Sequence, residues 1–178
     1  MPGPAFATGD TVSLHPIEPE DHEFVQRGRN DPDVRVPLTD TTIRTLSDVE
    51  EMLEDESYHF LICASSADGG GREPVGVVAF GYVSGTDERG SLMYWVAPEH
   101  QGNGYVSEAT DLFLDYAFRE CGFHKVTARV NVSNEASAAV LESLGFVQEG
   151  RRRKESVVDG EYEDMFTYGL LAREWLDG

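Results

Sequence analysis

One short segment of the chain carries residue types that could bind a phosphate group. Residues 101–106 read Gln-Gly-Asn-Gly-Tyr-Val and separate an apolar run from an amphipathic one. The two glycines let the backbone approach a ligand closely, and a helix starting after them would present unpaired N–H groups and the positive end of its dipole. This arrangement is typical of phosphate and diphosphate sites. Taken alone, the same residues also fit a plain Asn-Gly turn between a strand and a helix.

Two common nucleotide-binding motifs do not fit this segment. It lacks the Gly-Lys-Ser/Thr of a Walker loop, and it lacks a complete GxGxxG with a downstream ribose-binding acid. The sequence therefore favours a different nucleotide-derived ligand.

A second polar pair, Asn134 and Ser137, opens a later predicted helix. Asparagine is a good N-cap, and a serine in the first turn bonds locally, so the pair alone predicts a helix start and no more.

The hydrophobic pattern predicts the elements that would position these residues. We expect strands over residues 11–17, 59–64, 75–83, 91–96 and 124–130, and a last hairpin from 146–147 and 165–171 around Asp159-Gly160. Helices are expected from residue 18, from a capping box at 47–50, from 105 to about 121, and over 134–144 before Gly145. This order predicts an α+β fold with a mixed, mostly antiparallel central sheet flanked by helices, in a single domain spanning residues 1–178.

The composition limits the partners of the protein. The 178 residues include 14 Lys+Arg and 33 Asp+Glu, a formal net charge of −19, which argues against nucleic-acid binding. No apolar run approaches the length of a membrane span and no secretion signal precedes the first strand, so a soluble, cytoplasmic protein is expected.

The basic residues are twelve arginines and only two lysines, Lys125 and Lys154. Together with the acidic excess this predicts a salt-adapted protein, since concentrated salt shrinks the Debye length to about 3 Å and screens carboxylate repulsion. The alternatives are an ordinary acidic enzyme, or one whose charge attracts a cationic substrate.

The cysteines and histidines predict neither a disulfide nor a metal. Cys63 and Cys121 lie 58 residues apart in apolar surroundings without a CxxC spacing, and the five histidines show no ligand spacing.

In residues 101–106 the chain resembles the GNAT acetyltransferases, whose diphosphate loop follows the pattern Gln/Arg-x-x-Gly-x-Gly/Ala. Residues 101–106 match it, except that Val106 stands where Gly or Ala is usual. Further likeness, specifically to the Rim-type branch that acetylates the N-termini of ribosomal proteins, lies in Tyr94-Trp95-Val96-Ala97-Pro98, Gly104-Tyr105, Ser107-Glu108-Ala109, Asn134-x-x-Ser137, Gly145-Phe146, Glu149-Gly150 and Glu174-Trp175. Near relatives of that branch acetylate polyamines, aminoglycosides or other amines.

The resemblance implies acetyl-CoA as co-substrate and a set of residues that contact it. The 101–107 loop would bind the diphosphate, and the backbone at 95–97 would pair with the pantetheine amides, although Trp95 equally fits a core aromatic. The implied set is Trp95, Val96, Ala97, Gln101, Gly102, Asn103, Gly104, Tyr105, Val106, Ser107, Asn134 and Ser137.

The resemblance also implies catalytic roles. Ser137 would protonate the departing CoA thiolate, and a backbone N–H near Val96 would polarise the oxyanion. The base that deprotonates the amine is expected at Glu155, for which a solvated charged strand is the alternative. The neighbouring basic run 151–154 would meet the 3′-phosphate of CoA, an acidic partner, or other surface charges.

We therefore expect an N-acetyltransferase that acts through a ternary complex, without a covalent acyl-enzyme. A protein N-terminus is the leading acceptor and a small amine is the alternative. A CoA-binding sensor without turnover and a purely structural domain are the hypotheses from other classes. A homodimer is implied by the resemblance alone.

Overall fold

A computed structural model of the chain describes residues 2–54, 58–66, 68 and 70–178. The strands are β1 (Ala7–Thr8), β2 (Val12–Pro16), β3 (His59–Ser65), β4 (Arg72–Ser84), β5 (Arg89–Val96), β6 (Lys125–Asn131), β7 (Val147–Val158) and β8 (Glu161–Leu171). They form one sheet in the order β1-β2-β3-β4-β5-β6-β8-β7. β5 and β6 run parallel, whereas β2–β3, β3–β4, β6–β8 and β7–β8 are antiparallel. The predicted α+β class with a mixed, mostly antiparallel sheet is confirmed.

Six α-helices are assigned in the described part of the chain. They are α1 (His22–Asn30), α2 (Pro32–Arg35), α3 (Leu46–Glu54), α4 (Tyr105–Asp115), α5 (Glu135–Ser143) and α6 (Ala172–Leu176). A π-helical turn, Tyr116–Glu120, continues α4 toward Gly122, and Gly145 adopts a φ of +91° after α5 as predicted. Within the described ranges, no helix combines the length and the apolarity needed to cross a bilayer.

The chain divides into two compact units, and the single-domain organisation stays a prediction. The first unit contains Met1–Ala79 and Tyr94–Phe113. Its core centres on β3, which reads as a continuous apolar run because both faces of the strand are buried. Val12 and Leu14 of β2 are fully buried beside it, and the Phe60 and Phe113 rings meet edge to face at 6.0 Å.

The segment between α2 and α3 is tied to α1 by polar contacts. Asn30 donates to the Arg44 carbonyl over 2.8 Å and accepts from the Arg44 amide over 2.9 Å. Burial opposes the charge on Asp40, but hydrogen bonds from Arg44 and Thr42 and the charge of Arg29 outweigh it and lower the pKa of Asp40 to about 2. Asp40 is therefore an anion throughout the neutral range and holds two arginines together.

The second unit contains Phe80–Met93 and Leu114–Gly178. Tyr168 and Leu170 of β8 are almost fully buried in its core, and the Phe80 and Phe123 rings lie 4.9 Å apart. The last helix is held by Trp175, whose indole N–H donates to Asp115 over 2.8 Å.

The structure corrects three sequence-based expectations about elements. The capping box of α3 lies two residues earlier than the predicted 47–50, because Thr45 and Asp48 exchange backbone-to-side-chain hydrogen bonds of 2.7 and 3.2 Å. The last hairpin is much longer than predicted, since β7 spans twelve residues. The short elements β1, α2 and α6 were not predicted. The sequence also predicts a glycine-rich loop over residues 67–71, and two of its residues, Ala67 and Gly69, lie outside the described residues.

Candidate functional site

The predicted phosphate loop occupies the connection between β5 and α4 in the first unit. After Val96 the chain makes a 3-10 turn over Pro98–His100, and α4 begins at Tyr105. Gly102 and Gly104 have φ angles of +81° and +76°, and a Cβ at either position would meet nothing within 4 Å. The glycines are thus required by the backbone conformation, which side-chain-bearing residues adopt only with strain, and the space beside them is open to a ligand.

Two polar side chains of the loop fold back onto the chain. Gln101 donates from its side-chain amide to the Val96 carbonyl over 3.0 Å, and Asn103 donates to the His100 carbonyl over 2.8 Å. These bonds fix the loop from within. The first N–H groups of α4 have no partner inside the helix, so the loop and the helix start together provide several donors for an anion.

Trp95 is a core aromatic by its side chain. It is 4% exposed, and its ring stacks on Phe24 of α1 with centroids 5.5 Å apart. Gly28, one turn along α1, leaves room for the indole, since a Cβ there would lie 3.0 Å from Cζ2 and closer still to two other ring atoms. The i, i+4 spacing of Phe24 and Gly28 is the one sequence signal that could have identified this contact.

The backbone at 96–97 is already engaged in part. The Ala97 amide donates to the Val75 carbonyl over 2.8 Å, and the Val96 carbonyl accepts from Gln101. The pairing of residues 95–97 with pantetheine stays a prediction. The Ala97 N–H and the Val96 carbonyl already form hydrogen bonds within the chain. In the second unit, the parallel pairing of β5 with β6 joins Arg89–Ser91 to Lys125–Thr127.

Asn134 and Ser137 lie at the start of α5 in the second unit. The Asn134 side-chain oxygen accepts from the Ser137 amide over 3.2 Å, which makes Asn134 the N-cap. Ser137 is half-buried in the first turn. The local capping interpretation is thereby confirmed, and the proposed contacts with a co-substrate stay predictions.

Glu155 lies on an exposed irregularity of β7. The register with β8 shifts between Arg152 and Ser156, and Lys154 adopts a φ of +51°. The Glu155 carboxylate accepts from Arg152 over 3.0 Å. Arg151 is also paired on the surface and donates to Asp164 over 2.7 Å, so two members of the basic run agree with the salt-bridged interpretation of 151–154. The catalytic role of Glu155 stays a prediction.

Cys63, the buried cysteine of the first unit, is a poor nucleophile at neutral pH. Burial is the main cause that raises the pKa of the Cys63 thiol to about 12, so the thiolate needed for nucleophilic attack is scarce at neutral pH. Both cysteines are free thiols. The described residues hold no cluster of three or more His, Cys, Asp or Glu suited to a metal ion.

A thiol-labelling experiment tests the state of Cys63. In a Cys121→Ser variant at pH 8, we expect the aromatic disulfide DTNB to label native Cys63 at least about a hundredfold more slowly than the unfolded chain, because Cys63 is fully buried and its raised pKa depletes the thiolate. Because the folded pKa is raised, the stabilising effect of keeping this thiol neutral is present below pH 9 and is lost as the pH rises toward 12. Rapid stoichiometric labelling of the native variant at pH 8 would contradict this.

Comparison with known proteins matches this arrangement to one family. The model of the acetyltransferase (GNAT) domain matches residues 11–147. The chain is 36% identical over 130 residues to a Bacillus subtilis strain 168 protein named Probable N-acetyltransferase YjcK, covering 72% of this chain and 70% of that protein. It is also 34% identical over 100 residues to YdaF of the same strain, which is provisionally named a ribosomal N-acetyltransferase. This match covers 56% of this chain and 55% of YdaF.

Solved structures show the same fold. The crystal structure of spermidine N-acetyltransferase from Vibrio cholerae, in complex with CoA and spermine, matches with a TM-score of 0.83 at 22% identity, covering 94% of this chain and 99% of that chain. The family model matches residues 11–147, and the fold and the loop between β5 and α4 are those expected for it, so the chain belongs to the GNAT acetyltransferase family.

Proposed function

We propose that the protein transfers the acetyl group of acetyl-CoA to a primary amine. The observation that carries this proposal is the loop at residues 101–104, where two glycines at positive φ leave open space before the N-terminus of α4. A CoA diphosphate is the ligand for which this donor-rich loop is suited in a GNAT domain. The Vibrio cholerae spermidine acetyltransferase, solved with CoA, supports the same assignment.

The reaction requires two proton movements around one acyl transfer. The free amine attacks the thioester carbonyl, the oxyanion is polarised by a backbone N–H near Val96, and the C–S bond then breaks. Ser137 gives a proton to the departing thiolate and regains one from the attacking nitrogen, which loses it as the amide forms. An ammonium has no lone pair, so the acceptor must first lose a proton to Glu155 or to a chain of waters.

A protein N-terminus is the acceptor we favour. The similarity to YdaF, a protein provisionally named for ribosomal substrates, supports this choice. A polyamine is the second candidate, because the similarity to spermidine N(1)-acetyltransferase of Vibrio cholerae extends over 93% of this chain at 22% identity. A net charge of −19 attracts either cationic acceptor.

Titration calorimetry with acetyl-CoA, followed by an acceptor screen, tests the proposal. We expect binding in a buffer of high salt concentration and then release of CoA thiol with N-terminally free peptides. Faster release with spermidine than with any peptide would shift the acceptor to a polyamine. Binding without turnover on either class would favour the sensor hypothesis, and absence of binding at every salt concentration would contradict the proposed function.

The homodimer and the cytoplasmic location stay proposals based on the resemblance and the composition.

Replacing Ser137 by alanine separates catalysis from binding. We expect kcat to fall by about ten- to a hundredfold, in the range of lost general-acid catalysis, while the affinity for acetyl-CoA changes less than twofold. A matched control is Ser143→Ala, at the far end of α5, where the hydroxyl donates to the Val140 carbonyl over 2.7 Å. An unchanged kcat in the Ser137 variant would remove Ser137 from the mechanism.

A further inference from the structure

A carboxylate of the first turn of α4 is held by a hairpin almost a hundred residues away in sequence. Glu108 accepts from the Thr11 amide through both oxygens, over 2.9 and 3.2 Å, and the Thr11 hydroxyl donates a second bond to Oε2. Burial opposes its charge, but the bonds from Thr11 and from the backbone N–H groups of Val12 and Asp10 outweigh this and lower the pKa of Glu108. The side chain is therefore a fixed anion at neutral pH.

The hairpin turn is shaped to receive this carboxylate. Gly9 donates its amide to the Val12 carbonyl over 2.9 Å, which closes the turn between β1 and β2. A Cβ on Gly9 would lie 3.0 Å from Cδ and 3.2 Å from Cγ of Glu108 and would overlap Oε1. The absence of a side chain at residue 9 lets the backbone of the turn lie directly against Glu108.

The contact joins the exposed loop and the start of α4 to the buried sheet of the first unit. Val12 is fully buried in β2, which pairs with β3 along its length, so the turn is anchored in the core of the first unit. The side chains of residues 101–104 are exposed, and fully buried positions of α4 begin only at Ala109. Glu108 thus makes a polar connection between the start of α4, which follows the loop, and the sheet.

We propose that Glu108 is a positioning residue for the diphosphate of acetyl-CoA. The bond to Thr11 fixes where the N–H groups at the start of α4 point, and it also keeps an anionic side chain from capping those same N–H groups. This inference deepens the proposed function and depends on it, because the loop must bind acetyl-CoA for the position of α4 to matter.

Simple electrostatics and the positioning role predict opposite results for Glu108→Gln. Removing a negative charge near a polyanion strengthens binding if charge alone acts. If Glu108 positions the loop, the variant loses one charge-assisted acceptor, and its Kd for acetyl-CoA rises about tenfold, the scale of one such bond. The KM for acetyl-CoA should rise with it while kcat stays within twofold, a split that a general loss of folded protein would not produce.

The Thr11 pair provides a second test at constant net charge. Thr11→Val deletes the hydroxyl that donates to Glu108 and should raise the Kd in the same direction, whereas Thr11→Ser keeps the hydroxyl and should restore wild-type affinity. Glu120→Gln is the control for net charge, because Glu120 is exposed after α4 and lies outside the loop. The thermal midpoint of each variant is measured alongside.

The outcomes are distinct. Wild-type protein that binds no acetyl-CoA would overturn the proposed function itself. Wild-type binding with equal or tighter binding by Glu108→Gln, or with Thr11→Val equal to Thr11→Ser, would overturn the positioning role and leave the proposed function in place.

Discussion

Replacing Gly104 by valine is expected to weaken acetyl-CoA binding by at least about a hundredfold, equivalent to about 2.7 kcal/mol. Gly104 has a φ of +76°, a conformation that a β-branched residue adopts only at a cost of about 1–3 kcal/mol. The chain relieves this strain by rotating the backbone, and the rotation turns the N–H groups at the start of α4 away from the diphosphate. Two charge-assisted hydrogen bonds lost in this way account for the hundredfold effect.

Calorimetric titration of acetyl-CoA measures this effect, and Gly122→Val supplies a matched control. Gly122 has a φ of +74° with open space around its Cα, so the backbone strain is the same, but it lies outside the loop, just before β6. Both variants should lose a few degrees of thermal midpoint, at about 2–4 °C per kcal/mol. Only Gly104→Val should lose affinity. Equal affinity in the two variants would show that the conformation at residue 104 does not serve the ligand.

The loop itself was predictable because all of its signals are local. The glycines at 102 and 104, the polar residues between them and the helical spacing after Tyr105 lie within one short segment. A positive φ at glycine and a helix start follow from such a segment without any knowledge of distant contacts. Four of the strands were also predicted closely, because alternating or continuous apolar runs mark β2, β3 and β4 before the loop and β6 after it.

The extent of β7 was not predictable from its pattern. The strand lies at an edge of the sheet, and its residues 151–155 are all exposed, so no alternation of apolar and polar residues marks them. Their pairing with β8 is further interrupted by the shift between Arg152 and Ser156. The signal for this strand therefore lies in its partner β8, where Met165, Tyr168 and Leu170 are buried.

Contacts between distant segments left no trace in the sequence. Thr11 and Glu108 are 97 positions apart, and each by itself is an ordinary polar residue near a turn or a helix start. Even the local bond from the Gln101 side-chain amide to the Val96 carbonyl was not predicted, and the contact of Gln101 with the co-substrate stays a prediction. A single sequence indicates which residues can donate or accept, and the fold decides which partner lies within reach.

Raising KCl from 0.1 M to 3 M is expected to increase the thermal midpoint by about 10 °C or more, which corresponds to about 3 kcal/mol for a chain of this size. The physical reason is the net charge of −19. Unfolding separates the carboxylates and relieves their repulsion, so the repulsion destabilises the folded state until salt screens it. Several ion pairs in the described part of the chain are too exposed to offset this, as for Arg89–Asp87, whose side chains are 46% and 55% exposed.

The shape of the salt dependence separates screening from a general salt effect. The Debye length falls from about 10 Å at 0.1 M to about 3 Å at 1 M, so screening should produce most of the increase below about 1 M. Exclusion of salt from the protein surface instead strengthens apolar burial steadily up to the highest concentration. A steep early rise would support carboxylate repulsion as the dominant cause, and a neutral osmolyte such as sucrose should then give only a shallow rise. A thermal midpoint unchanged between 0.1 M and 3 M KCl would contradict salt adaptation, and the acidic surface would then be explained by the cationic acceptor it attracts.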